Sequence, residues 1–107
     1  MKKRFLCVCQ KGCNRSVFMA YRLKRHGHEA IPCGWLTESA ETLEMLCQWA
    51  DAVFVMQAEF RDKIAPKFHH KVHVVEVGRD IWGPRWHPEL KKLVYDGYDK
   101  LKAEGVL

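Results

Sequence analysis

The stretch Phe5-Leu-Cys-Val-Cys-Gln-Lys-Gly-Cys-Asn-Arg-Ser16 decides how the rest of the chain is read. Phe5, Leu6, Cys7 and Val8 form an apolar run that reads as a first strand. A helical pattern starts at Ser16, so the residues between turn a first strand into a first helix. Within that turn five residues separate Cys9 from Arg15, and Ser16 comes directly after, a C-x5-R-S spacing. Such a loop curls around a tetrahedral dianion, with successive backbone amides and the positive end of the following helix pointing inward. Gln10, Lys11, Gly12, Cys13 and Asn14 are its intervening positions, and Gly12 makes a left-handed backbone cheap at mid-loop. Arg15 closes the ring with a planar fork that matches two phosphate oxygens as a lysine cannot. The same field favours thiolate over thiol at Cys9, and the Ser16 hydroxyl is placed to hydrogen-bond the sulfur. A nucleophile held under a bound phosphoryl group points to a phosphocysteine intermediate.

Working outward, strand and helix patterns alternate. Residues 4–9 read as the first strand. Residues 16–26 read as a helix with Val17, Ala20, Tyr21 and Lys24 on one face, stopped by Gly27. Residues 28–33 form a short, weakly marked strand. Residues 37–49 form a helix capped by Thr37 or Ser39, with Leu43, Leu46, Cys47 and Ala50 as its inner stripe. Residues 52–56, Ala-Val-Phe-Val-Met, give the strongest strand signal. A short helix over 58–64 ends before Pro66, and residues 72–77 make a fourth strand. His87-Pro88 opens the last helix, with Leu90, Leu93, Val94, Tyr98 and Leu101 as its apolar face. Four such repeats imply a single α/β domain over 1–107, a parallel sheet with helices on both faces. Ligands of such sheets bind beyond the carboxyl ends of the strands, where Cys9 sits and where the segment 78–86 also falls.

Composition narrows the classes. The 107 residues are 48% hydrophobic and 29% charged, as in a globular domain rather than a disordered chain. No run approaches the roughly 18 apolar residues that span a membrane, and the apolar stretch after Met1-Lys-Lys-Arg4 is too short for a secretory signal. Five cysteines, an odd number, fit free thiols in a reducing cytoplasm. A net charge of +5 favours anionic substrates. The basic residues are scattered without a basic-aromatic stripe, which argues against nucleic acid. A zinc site from Cys7, Cys9 and Cys13 with His69, His70 or His73 is the competing use of the cysteines. No C-x2-C pair supports it, so neither metal nor cofactor is expected.

A phosphocysteine route needs an acid to protonate the leaving oxygen and a base to activate water. Asp80 is the candidate, in the loop Gly78-Arg-Asp-Ile-Trp-Gly-Pro-Arg-Trp86, where partial desolvation favours its protonated form. The alternative for Asp80 is a solvated loop or cap carboxylate. Trp82, Trp86 and Trp35 can wall a slot for an aryl phosphoester, or they can pack over the sheet edge.

The loop, the first helix and the late aspartate segment together resemble the low-molecular-weight protein tyrosine phosphatase family, in particular its compact bacterial branch. Trp49-Ala-Asp-Ala-Val-Phe-Val-Met56 with Arg61 resembles that branch's third-strand segment, and Asp80-Ile81 with Pro88-Glu-Leu90 resembles its end. The resemblance implies a flavodoxin-like sheet of order 2-1-3-4. It also implies Cys9 as nucleophile, Arg15 as phosphate clamp, Ser16 as thiolate stabiliser and a late aspartate as general acid. The expected ligands are a phosphotyrosine protein or small aryl phosphoester, and inorganic phosphate or another oxyanion. Three positions depart from the family pattern. Gly12 stands where an asparagine is usual, Asn14 stands where many members carry a second cysteine, and Gly83 stands at the usual acid position, three residues after Asp80. Two other functions share the fold: a phosphate-binding regulatory module with little turnover, and an arsenate reductase using Cys13, Cys33 or Cys47 to resolve an adduct.

Overall fold

A computed structural model describes residues 2–12, 14–78 and 87–107. The chain runs β1 (Arg4–Cys9), α1 (Arg15–Arg25), β2 (Glu29–Gly34), α2 (Ala40–Trp49), β3 (Ala52–Val55), two 3-10 turns (Ala58–Lys63 and Pro66–Lys71), β4 (Val72–Val74) and α3 (Pro88–Ala103). All strand pairs are parallel and the sheet order is β2-β1-β3-β4, the flavodoxin-like order expected. Phe5, Leu6, Cys7 and Val8 of β1 and Val53, Phe54 and Val55 of β3 have no exposed surface. Being central, both strands are covered on both faces, which is why their sequences are continuous rather than alternating. Phe5 and Phe54 stack across the pair with ring centres 5.1 Å apart.

Right-handed crossovers set the layers. The step from β1 to β2 places α1 on one face, where it packs on both strands and against α3. The return step from β2 to β3 reverses direction and carries α2 to the other face. There Leu43, Cys47 and Ala50 are buried as the stripe predicts, and Ser39 caps α2 by accepting from the Thr42 amide at 3.0 Å.

The short helix expected over 58–64 is a 3-10 turn, a second follows at Pro66–Lys71, and α2 starts at Ala40 rather than 37; two further elements differ in what they bury or pair. On α1 the buried residues are Arg15, Ser16, Phe18, Met19, Ala20 and Leu23, whereas Tyr21 is 43% exposed and Lys24 is exposed. The helix starts one residue early and its inner face is centred on Ser16, Met19 and Leu23, so only Ala20 of the predicted face faces inward. The fourth strand stops at Val74, yet Val75 and Val77 remain buried and donate to the carbonyls of Val55 (2.8 Å) and Met56 (3.2 Å). Glu76 between them folds its carboxylate back onto the backbone, and regular pairing ends there. Among the described residues no helix is long and apolar enough to cross a membrane.

Candidate active site

Cys9 is the last residue of β1, at the carboxyl rim of the sheet, and the backbone then turns sharply into α1. Gly12 makes the turn with φ at 73°, in the left-handed region. The loop lies directly on the end of β2. A Cβ at Gly34 would stand 2.4 Å from the Lys11 carbonyl carbon, so only glycine admits the loop at this height. The amides of Trp35 and Leu36 donate to the carbonyls of Cys9 and Gln10, both at 3.0 Å. Those two carbonyls are thereby held toward the end of β2.

Two groups converge on the sulfur. The Gly12 amide donates to Cys9 Sγ at 3.0 Å, and Ser16 Oγ lies 3.1 Å from it. Cys9 is 2% exposed and Ser16 is fully buried. The spacing thus brings Cys9, Gly12 and Ser16 together. Helix α1 begins at Asn14 without a side-chain cap hydrogen bond and without an acid in its first turn, so no local carboxylate offsets its positive end.

Arg15 is the largest fully buried side chain among the described residues, at 1% exposure. Among the described residues no carboxylate pairs with it. Its Nη1 donates to Gln57 Oε1 at 2.8 Å and to the Gly78 carbonyl at 2.6 Å. The guanidinium lies over the Phe60 ring, 5.2 Å from its centre, while Nε is buried without a partner among the described residues. Taking a guanidinium out of water costs several kcal/mol, so an uncompensated one is a standing demand for an anion.

The other cysteines are of a different kind. Burial pushes the Cys7 thiol well above its usual range, with Cys33 and Cys9 adding to the effect. Burial likewise raises Cys33 to about 12 and Cys47 to about 11. These three thiols stay protonated at neutral pH and are core residues. No group of three or more histidine, cysteine, aspartate or glutamate side chains among the described residues is arranged to hold a metal ion.

Trp35 is half-buried against Phe60 with ring centres 5.7 Å apart, and the Lys63 ammonium sits 4.4 Å above it. It therefore backs Phe60, which in turn backs Arg15. Gln10 and Asn14 are half-buried at the loop and Lys11 is exposed. Cys13, Asp80, Trp82 and Trp86 lie outside the described residues. Four residues at the site were not singled out from sequence: Gln57, Phe60, Glu76 and Gly34. Only Gly34 had a detectable cue, a glycine at the end of a strand beside a glycine-containing loop.

No family model matches the chain, and no curated protein matches it in sequence. Solved structures do match in fold. YwlE arginine phosphatase from Geobacillus stearothermophilus aligns with a TM-score of 0.69 at 19% identity, covering 97% of this chain and 96% of that one. Vibrio vulnificus Wzb in complex with benzylphosphonate gives 0.73 at 15% identity, covering 95% and 98%. A cysteine-to-serine mutant of YwlE arginine phosphatase with a phosphorylated active-site serine gives 0.63 at 19% identity, covering 92% and 95%.

Proposed function

We propose that the chain is a cysteine-dependent phosphatase that hydrolyses phosphotyrosine or a similar aryl phosphate monoester. The observation that carries this reading is the buried guanidinium of Arg15, with no carboxylate partner among the described residues, at one end of a loop whose other end presents Cys9. The fold neighbours support it: two are arginine phosphatases, one holding a phosphorylated serine in place of a cysteine, and the third binds a phosphonate on a benzyl group. Free thiols at Cys7, Cys9, Cys33 and Cys47 suit a reducing cytoplasm.

In this mechanism the loop amides and the Nε–Nη2 edge of Arg15 hold the phosphoryl oxygens, and the Cys9 sulfur attacks phosphorus in line. The S–P bond forms as the bond to the aryl oxygen breaks, and Asp80 gives its proton to that oxygen. Asp80, now a carboxylate, takes a proton from water. The water oxygen attacks phosphorus, the S–P bond breaks, and inorganic phosphate leaves the regenerated sulfur anion. Arg15 contributes most where charge grows on the equatorial oxygens.

Gly83, standing where the family's acid usually lies, favours a second reading: a module that binds phosphorylated partners with little turnover. Phosphopeptide binding without phosphate release would select it. Arsenate reduction is less well supported, because a resolving cysteine must act as a thiolate and burial keeps Cys33 and Cys47 protonated. The test is Cys9→Ser. Aryl phosphate hydrolysis should vanish while inorganic phosphate still binds, and turnover comparable to the parent would end the proposal.

A further inference from the structure

The geometry points to Gln57 as the residue that positions Arg15, holding the guanidinium by a neutral acceptor so that its charge stays available to an oxyanion. This rests on the phosphatase reading above.

A guanidinium offers five N–H donors in a fixed plane, two of them on Nη1. Here both Nη1 donors are engaged, by Gln57 Oε1 and by the Gly78 carbonyl. Phe60 supports one face of the plane. Two hydrogen bonds and a ring contact fix the group, and the remaining edge, Nε with Nη2, is the fork that binds two oxygens of one phosphate. That Nε is buried and partnerless agrees with this division of labour.

The choice of glutamine matters chemically. A glutamate of the same shape would make the same hydrogen bond but pair permanently with Arg15, and the bound phosphate would then compete with a resident anion. Glutamine supplies orientation without that competition. Its amide is itself oriented, because Nε2 donates to the Glu59 carboxylate, which turns Oε1 toward Arg15. Glu59's charge is therefore held one hydrogen bond away from the guanidinium instead of upon it.

Glu76 supports this arrangement from below. Its Oε2 accepts from the Ala58 amide at 2.8 Å and its Oε1 from the Gly78 amide at 3.0 Å. One carboxylate thus ties together the chain segments that follow β3 and β4, the two segments that carry the acceptors for Nη1.

The experiment compares the parent with Gln57→Glu and Gln57→Met. Three readouts are used: calorimetric binding of inorganic phosphate, kcat and KM for an aryl phosphate, and thermal melting. Gln57→Glu gains an ion pair with Arg15 but loses the Nε2 donor to Glu59 and sets two carboxylates side by side, so melting serves here to show that the variant is folded. Its phosphate affinity should fall by about 10- to 100-fold, because a carboxylate in contact competes for the same charge. The ratio of parent to variant affinity should shrink as pH drops toward 4, where the introduced carboxyl begins to protonate and mimic the amide. A merely structural role predicts no such pH-dependent ratio. Gln57→Met removes the acceptor but leaves the charge, and should lower both affinity and kcat by about tenfold. Should Gln57→Glu fail to fold, Gln57→Met alone carries the test. Phosphate affinity equal to the parent's in whichever variant folds overturns the inference. If the parent binds phosphate without hydrolysing the ester, and the variants weaken binding as stated, the positioning role stands and the phosphatase reading falls. If the parent binds no phosphate, both fall.

Discussion

The two rims of the sheet carry positive charge in opposite ways. At the amino rim, before the strands begin, two adjoining cavities of about 450 and 560 Å³ share Lys2 and Lys3 and are further lined by Lys71, Lys102, His26 and His28. At the carboxyl rim the loop from Cys9 to Arg15 ends on a cation of another kind, the guanidinium of Arg15, which is buried. By count the amino rim is the anion site; by physics it is not. Its charges are solvated or already engaged: Lys2 meets Glu29 only at 4.0 Å, with the two side chains 64% and 51% exposed, and the ammonium groups of Lys3 and Lys71 donate to the carbonyls of Val106 and Ala50. Solvated pairs of this kind are worth little and are screened within about 10 Å at 0.1 M salt. Arg15 has lost its water and holds a fixed orientation, so an arriving phosphate meets a charge that needs no further desolvation or ordering. One buried cation outweighs several exposed ones.

The largest effect that would test this contrast is at Arg15. Arg15→Lys keeps the charge but loses the fork and the Nη1 anchors, and should reduce kcat/KM for an aryl phosphate by about a thousandfold. A loss below threefold would mean that any cation serves and would erase the difference between the rims. Next is Gly34→Ala. The added methyl would overlap the Lys11 backbone, so the loop must rise or β2 must shift. Thermal melting should show a destabilisation of about 1–3 kcal/mol, and calorimetry should show weaker phosphate binding. Unchanged binding would mean that the loop's seat on β2 does not shape the cradle. The smallest effect belongs to the amino rim. Replacing Lys2, Lys71 and Lys102 together by Gln should leave phosphate affinity at 0.15 M salt within about twofold. A tenfold loss would move the anion site to that rim.

The parts legible in sequence were those with local causes. β1 and β3 announce themselves because central strands are apolar at every position. That Cys9 and Ser16 meet, with Arg15 beside them, is legible because the turn is local: a strand end, five residues and a helix start. The inner face of α1 was misjudged because its Tyr21 and Lys24 fit an amphipathic period nearly as well as Met19 and Leu23. Starting the helix at Arg15 moves the buried face. The fourth strand was read too long because Val75 and Val77 keep the alternating pattern after pairing with β3 has become irregular. Gln57 and Gly78 were invisible for another reason. They reach Arg15 across 42 and 63 residues, and nothing in the local pattern of a glutamine after a strand says which side chain it will meet. Phe60 read only as one apolar residue of a short helix, yet it supports the guanidinium.

The central claim is that an oxyanion sits between the sulfur of Cys9 and the guanidinium of Arg15. Alkylation of the folded protein by iodoacetate, mapped by peptide mass spectrometry across a titration of inorganic phosphate, tests it most directly. Cys9 should be modified in the absence of phosphate and protected progressively as phosphate saturates, while Cys7, Cys33 and Cys47 react only after unfolding. Modification of Cys9 at one unvarying rate over the whole titration would contradict the account.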